Sequence, residues 1–153
     1  MPNNEFGDFQ TPLALARRCL EVLALPQHGP IRVLEPTCGR GAFLRAAQER
    51  NLKSIRYGID INADYVQVAR NYGTVAHANI FTRNLTDISW PDPTMPLFVI
   101  GNPPWVTAAE LNRMGSNNIP PKKNYKGMPG IAALLGSSNF DVCEYIILKA
   151  LTE

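Results

Sequence analysis

Short apolar runs alternate with segments of helical spacing along most of this chain, and this alternation limits the folds that it can adopt. The predicted strands are residues 31–36, 55–61, 74–81 and 97–102, and the predicted helices are 13–25, 42–50, 63–72 and 139–151. Strands that alternate with helices favour parallel pairing, because each helix carries the chain back across the sheet. The sequence therefore predicts an α/β fold built on a doubly wound parallel sheet.

Polar residues stand ahead of the first and last helices and are predicted to cap them. Thr11 comes before Pro12, a residue that is tolerated in the first helical turn, and Asn139 or Asp141 comes before the last helix.

The chain of 153 residues is long enough for one domain with a core, so residues 1–153 are expected to form a single domain. An apolar fourth strand at an open edge would favour aggregation. We therefore expect either that the sheet is incomplete in this chain, with later strands missing, or that something else covers the edge.

Composition and charge exclude several classes of protein. No stretch approaches the roughly 20 apolar residues of a membrane span, and the N-terminus has no basic region followed by an apolar run, so a cytoplasmic location is predicted. The net charge of +2 is too small to indicate nucleic-acid binding by itself. Cysteines and histidines are isolated, which predicts reduced thiols and no metal site; they are Cys19, Cys38, Cys143, His28 and His77.

A glycine-rich turn, TCGRG (37–41), follows the first predicted strand and leads into a helix. Gly39 and Gly41 permit backbone conformations and close approaches that a Cβ would block, and helix amides then face a ligand. A dinucleotide site expects a third glycine, but position 44 is leucine, which argues against NAD. Asp60 ends the second predicted strand and suits ribose hydroxyls, although it could instead cap the next helix. The pattern predicts a nucleoside-containing ligand.

The stretch IGNPPW (100–105) directly follows the fourth predicted strand. Read alone, it can be a turn that ends a buried strand. The two prolines also remove donors and stiffen the backbone, so they would fix where neighbouring acceptors point.

A long segment rich in Gly, Pro, Asn and Lys is predicted to be a loop over residues 106–138. A loop of this length in a compact domain is usually functional. Its basic residues outnumber Glu110, its only acid, and are candidates for phosphate contacts; they are Arg113, Lys122, Lys123 and Lys126. The alternative is a solvated loop whose lysines only maintain solubility.

Five motifs in this order resemble the S-adenosylmethionine-dependent DNA adenine-N6 methyltransferases, with the gamma-type motif arrangement. The motifs are FQTP (9–12), LEPTCGRGAFL (34–44), GIDI (58–61), HANIF (77–81) and GNPPW (101–105). The resemblance runs from Phe9 to about Leu151. It implies the Rossmann-like sheet of class I methyltransferases, and this chain would be their N-terminal catalytic part. No separate target-recognition domain is evident in the sequence.

The resemblance implies a set of residues for S-adenosylmethionine. Those expected near the methionine end are Phe9, Thr11 and Pro12, those in the turn are Glu35, Cys38, Gly39 and Gly41, and those near the ribose and adenine are Asp60, Ile61, Asn79 and Ile80. Asn79 stands where the family commonly has an aspartate that contacts the adenine amino group. An asparagine carbonyl can accept the same hydrogen bond.

For GNPPW the resemblance implies a site for a flipped adenine. The Asn102 side-chain oxygen and the Pro103 carbonyl would accept hydrogen bonds from the adenine amino group. Pro104 would stiffen the turn, and Trp105 would stack on the extruded base. The implied partners are double-stranded DNA and the rest of the methyltransferase or a recognition subunit.

Two other interpretations remain open at this level. Enzymes that methylate RNA bases or glutamine amides of proteins also carry an Asn-Pro-Pro-aromatic motif. Trp105, FQTP and the lysine-bearing loop favour DNA. The second alternative is a cofactor-binding fragment without activity of its own.

Overall fold

The computed structural model describes residues 9–113, 115–121 and 141–153. Three predicted phosphate-contacting residues, Lys122, Lys123 and Lys126, lie outside this part. The described helices are α1 (Leu13–Val22), α2 (Ala42–Arg50), α3 (Ala63–Ala69), α4 (Ala108–Arg113) and α5 (Val142–Thr152), and the strands are β1 (Ile31–Glu35), β2 (Ser54–Asp60), β3 (Thr74–His77) and β4 (Leu97–Val99).

The four strands form one parallel sheet in the order β3-β2-β1-β4. In register, Glu35 of β1 pairs with Gly58 of β2, and Leu34 pairs with Val99 of β4. The predicted α/β class with a parallel sheet is confirmed. The chain moves outward from β1 to β2 and β3, and β4 then pairs on the other side of β1, so the strand order reverses between β1 and β4.

One face of β1 and β4 is covered by the first two helices. Val33 and Phe98 are in register and therefore share that face. They pack with Leu20 of α1 and Phe43 of α2. A neighbouring cluster joins α3 to the same sheet, and its members are Cys38, Leu44, Val66, Ala69 and Val75. Burial of these apolar side chains is the main stabilising contribution to this part of the fold.

Two predicted strands end earlier in the structure. The strand predicted at 74–81 ends at His77, because the Asn79 Oδ1 accepts a hydrogen bond from the Phe81 N–H (3.0 Å) and turns the chain. The strand predicted at 97–102 ends at Val99, although the Ile100 N–H still donates to the Leu34 carbonyl (2.9 Å).

The predicted role of Thr11 as the cap of α1 is wrong. Pro12 occupies the N-cap position, and no side chain caps this helix. At its other end α1 stops at Val22 rather than at 25, because Ala24 has a left-handed backbone (φ 51°). Of the two residues predicted to cap the last helix, Asp141 is the N-cap of α5, and its Oδ1 accepts a hydrogen bond from the Cys143 N–H (2.9 Å).

Helix α4 lies within the segment that was predicted to be a loop. Its start is a reciprocal capping arrangement, in which the Thr107 hydroxyl oxygen accepts from the Glu110 N–H (3.2 Å) and the Glu110 carboxylate accepts from the Thr107 N–H (2.8 Å). Thr107 also forms an antiparallel bridge with Asp141. The pattern T-x-x-E at 107–110 is a helix start that the sequence contains but that its Pro- and Gly-rich surroundings obscured.

The chain divides into two compact units. The sheet unit is Gln10–Asn102, and the second unit contains Phe9 and the described residues from Pro103 onwards. No helix in the described ranges is long and apolar enough to cross a membrane.

Candidate functional site

The carboxyl ends of β1, β2 and β4 gather the polar and glycine residues of the sheet unit. Glu35 ends β1, Asp60 ends β2, and Gly101 and Asn102 follow β4. Ligands of open α/β sheets bind beyond the carboxyl ends of the strands, where the strand order reverses. The reversal between β1 and β4 therefore marks this edge as the candidate site.

The glycine turn after β1 has a backbone that glycine adopts readily and other residues rarely do. Gly39 has φ 50° and Gly41 has φ 80°. The Gly41 N–H donates to the Cys38 carbonyl (2.7 Å), which closes the turn, and Gly41 is the N-cap of α2. A Cβ on Gly41 would lie 3.0 Å from the Cβ of Ala69, so this position requires glycine for space as well as for its dihedral angle.

Asp60 connects the end of β2 to the glycine turn. Its Oδ2 accepts a hydrogen bond from the Gly39 N–H (2.7 Å), and its Oδ1 accepts one from the Asn62 N–H (2.8 Å). The alternative that Asp60 caps α3 is wrong, because the cap is Asn62, whose Oδ1 accepts from the amides of Asp64 and Tyr65. Asp60 thus sets the position of the turn relative to β2.

Glu35 is a buried carboxyl beneath the same turn. Its side chain is 3% exposed, and its Oε2 accepts a hydrogen bond from the Leu44 N–H (3.1 Å) at the start of α2. Burial raises the pKa of the Glu35 carboxyl well above its usual range, the Leu44 N–H lowers it in part, and the charge of Asp60 raises it further. Gly101 lies close by, since a Cβ there would be 3.6 Å from the Glu35 Cγ.

Two more of the residues predicted to contact the cofactor, Cys38 and Ile80, are buried. The Cys38 side chain packs against Gly58, and a Cβ added to Gly58 would lie 2.9 Å from the Cys38 Sγ. Burial raises the pKa of the Cys38 thiol. Its backbone N–H donates to the Ile59 carbonyl (2.8 Å), so Cys38 shapes the turn through its backbone. Ile80 is also in the core.

Gln10 is a site residue that the sequence reasoning missed. Its Oε1 accepts a hydrogen bond from the Arg40 N–H (3.0 Å) and lies 2.6 Å from the position that a Cβ on Gly39 would take. Gln10 therefore covers the glycine turn from a point 30 residues earlier in the chain. Its place inside FQTP was the only signal, because a glutamine in a coil has no local pattern of its own.

The two ends of the sheet unit meet through polar side chains. The Asn102 Nδ2 donates a hydrogen bond to the Thr11 Oγ1 at 3.4 Å, a long contact between residues 91 positions apart. Both side chains are half-buried. The first and last predicted motifs of this unit are thus adjacent.

The remaining residues that were predicted to bind the cofactor or DNA are divided between the two units. Near the ribose and adenine positions of the sheet unit, Ile61 is 50% exposed, and the Asn79 Oδ1 is engaged by the Phe81 N–H. Pro12 is exposed at the start of α1. The second unit holds Phe9, Pro103, Pro104, Trp105 and Arg113.

Within the second unit, Trp105 presents 70% of its surface, Phe9 is also largely exposed, and Arg113 is an exposed residue at the end of α4. Pro103 and Pro104 are half-buried. The residues that the structure brings together are therefore those of the sheet unit, namely Thr11, Glu35, Gly39, Asp60 and Asn102.

The chain is similar in sequence to a known methyltransferase. The chain is 32% identical over 153 aligned residues to the type II methyltransferase M.NspV of Nostoc sp., and the alignment covers 95% of this chain. It covers 32% of the relative, so the chain spans about a third of the length of the curated protein that it matches. No protein-family model matches the chain.

Proposed function

We propose that this chain is the catalytic part of an S-adenosylmethionine-dependent DNA methyltransferase that acts on N6 of adenine, in a restriction-modification or related system. The observation that carries the proposal is the Asp60–Gly39 hydrogen bond, which holds a ribose-type acid against a glycine turn at the edge where Asn102 also lies. Similarity to a type II methyltransferase over nearly the entire chain supports the same reaction class.

The glycine turn is proposed to bind S-adenosylmethionine because the positive φ angles of Gly39 and Gly41 shape the backbone beside Asp60. The positions that a Cβ would take at these glycines lie against Gln10 and against Ala69. The Asp60 carboxylate oxygens can accept from ribose hydroxyls in addition to backbone amides. The half-exposed Ile61 provides an apolar surface for an adenine ring. When bound, S-adenosylmethionine supplies an electrophilic methyl group.

Asn102 and Pro103 hold the methyl acceptor in this proposal. The Asn102 side-chain oxygen and the Pro103 carbonyl accept hydrogen bonds from the adenine amino group and keep its nitrogen lone pair directed at the methyl group. The adenine nitrogen would form the new N–C bond as the S–C bond of the bound cofactor breaks, the sulfur would leave as a neutral thioether, and the proton lost from the methylated amino group would pass to solvent. Positioning of this kind supplies most of the acceleration in a reaction that needs no covalent enzyme intermediate.

Trp105 is the stacking partner of the extruded base in this proposal. Its large exposed surface supports this role. Stacking of a base on an aromatic side chain contributes about 1–3 kcal/mol, which offsets stacking lost when the base leaves the duplex. Arg113 and the three lysines that follow in the sequence are proposed to contact phosphates.

Transfer of radiolabel from S-adenosylmethionine tests the proposal. The protein is incubated with labelled cofactor and with unmethylated DNA, RNA or a glutamine-bearing protein in separate reactions. Label in DNA that digestion recovers as N6-methyladenine is the expected result. Label that enters RNA or protein but never DNA would contradict the proposal, and cofactor binding by calorimetry without any transfer would favour the fragment alternative.

Asn102→Ala is expected to abolish transfer while the dissociation constant for S-adenosylmethionine stays nearly unchanged. The reason is that the substitution removes an acceptor for the adenine amino group and leaves the glycine turn and Asp60 intact. Single-turnover transfer and calorimetry measure the two effects.

Asn84→Ala is the matched control for Asn102→Ala, since Asn84 is an exposed asparagine whose side chain makes no capping hydrogen bond. It should retain transfer. Loss of cofactor binding together with transfer in Asn102→Ala would show that the role assigned to Asn102 is wrong.

A further inference from the structure

The hydrogen bond between Asn102 and Thr11 has a direction. The Asn102 Nδ2 is the donor and the Thr11 Oγ1 is the acceptor, at 3.4 Å. A carboxamide is planar, and its nitrogen and oxygen point to opposite sides of the Cβ–Cγ axis. With the nitrogen directed at Thr11, the Asn102 carbonyl oxygen points away from Thr11.

The orientation of this amide decides whether an amino group can bind. An amino group that approaches the Asn102 oxygen meets an acceptor. If the amide were rotated by half a turn, the amino group would meet a second N–H donor, and two donors cannot form a hydrogen bond. A threonine hydroxyl can accept from the amide nitrogen or donate to the amide oxygen, so its contact with Asn102 holds the amide in place rather than excluding the rotated state.

We infer that Thr11 is a positioning residue that holds the Asn102 amide in place, with the amide nitrogen directed at the Thr11 hydroxyl. This inference rests on the proposed function, in which the Asn102 oxygen accepts from the adenine amino group. Thr11 does not cap α1, since Pro12 is the N-cap and no side chain fills that role. Its hydroxyl oxygen instead accepts from Asn102, a residue at the far end of the sheet unit.

The inference differs in a measurable way from the role that family resemblance implies for Thr11. A residue that borders the methionine end of the cofactor contributes to cofactor affinity. A residue that orients Asn102 contributes to the rate of the bound complex and leaves cofactor affinity nearly unchanged. The split between kcat and the cofactor dissociation constant therefore separates the two roles.

Kinetics of Thr11→Val and Thr11→Ser test the inference. Valine keeps the β-branched shape and removes the acceptor, whereas serine keeps the hydroxyl. Thr11→Val should lower kcat with DNA by about three- to tenfold, the size expected for one neutral hydrogen bond. Its dissociation constant for S-adenosylmethionine and its Tm should match those of the unaltered protein, and Thr11→Ser should recover most of the rate.

Thr86→Val is the matched control, because Thr86 is an exposed threonine in the short 3-10 helix Leu85–Asp87. It should leave kcat unchanged. A Thr11→Val variant with full kcat and normal binding would overturn the inference while the proposed function stood. A variant with weaker cofactor binding and unchanged kcat would assign Thr11 to the cofactor instead.

The side-chain amide signal of Asn102 in nitrogen-15 NMR spectra tests the contact without any assay of transfer. The signal is identified by its loss in Asn102→Ala. Thr11→Val should move its proton resonance upfield, because a hydrogen bond is lost, and Thr11→Ser should keep it near its original position. An unchanged resonance in Thr11→Val would overturn the inference. A shifted resonance in Thr11→Val, with an unaltered protein that does not methylate DNA adenine, would overturn the proposed function and leave only the contact between Thr11 and Asn102 established.

Discussion

Two carboxylates at the ends of neighbouring strands have different surroundings. Asp60 is partly exposed and accepts two backbone amides, whereas Glu35 is buried and accepts one from Leu44. Amide donors stabilise a charged carboxylate, and burial disfavours it. The protonation of Glu35 is therefore coupled to folding.

The contribution of Glu35 to the stability of the protein should fall as pH rises from about 4.5, the ordinary pKa of a glutamate. The folded pKa of Glu35 lies above this value, so the folded state binds more protons than the unfolded state in that interval. The contribution of Glu35 is complete below the unfolded pKa and is lost as pH rises through the folded pKa.

Glu35→Gln removes the titrating group and keeps an oxygen that can accept from the Leu44 N–H. Between the unfolded and the folded pKa of Glu35, the free energy of unfolding of the glutamine variant should rise relative to that of the unaltered protein by on the order of 1 kcal/mol per pH unit. Urea unfolding at several pH values measures it. Two parallel stability curves would contradict the assignment of a raised pKa to Glu35.

The residues of the site differ in how far the sequence could reveal them. Asp60 lies at the end of one predicted strand and the glycines of the turn follow another, so local pattern was sufficient to find them. Gln10 and Thr11 act on residues 30 and 91 positions later in the chain. Contacts at such separations leave no local periodicity, and the capping preference of threonine suggested a different partner for Thr11.

Among the elements, the glycine turn and α2 depend on a conformation that only glycine adopts without strain. Gly29 and Gly41 have nearly equal positive φ values, 84° and 80°. A Cβ on Gly29 would meet nothing within 4 Å, whereas one on Gly41 would lie 3.0 Å from the Ala69 Cβ and 3.1 Å from its Cα. The pair therefore separates backbone strain from packing.

Gly29→Ala should destabilise the protein by about 1–2 kcal/mol, the usual cost of a left-handed alanine. Gly41→Ala should lose the same amount and about 1–3 kcal/mol more for overpacking against α3. Urea unfolding of both variants measures the difference. Equal losses would mean that α3 moves aside without cost.

The lengths of the elements were harder to predict than their order. All four predicted strands are present, but β3 ends at His77 and β4 at Val99, earlier than predicted. Asn79 is the clearest case, since an apolar neighbour on each side favours a strand while its own side chain bonds the Phe81 amide. The helix at 108–113 was missed because proline and glycine dominate the sequence that follows it.

At the scale of the whole molecule, the net charge of +2 is too small to attract DNA strongly, so electrostatic attraction to DNA must come from local groups of basic residues. The candidates are Arg113 at the end of α4 and the lysines at 122, 123 and 126. Each phosphate contact releases counterions, and affinity then falls with salt in proportion to the number of contacts.

Replacement of Lys122, Lys123 and Lys126 by glutamine should weaken DNA binding and reduce the slope of log Kobs against log salt by about 3. Lys53→Gln is the control, because Lys53 is exposed and precedes β2, at the opposite edge of the sheet from the glycine turn. Fluorescence anisotropy across a series of salt concentrations gives both slopes. A triple variant with an unchanged slope would assign the lysines to a solvated loop.

The contact between Thr11 and Asn102 also sets an order of events during synthesis. A ribosome completes the glycine turn and Asp60 well before it adds Asn102, which lies 91 residues after its partner. Domains generally fold as units. Because Asn102 is the last residue of the sheet unit, its contact with Thr11 forms only after the whole of that unit has been synthesised.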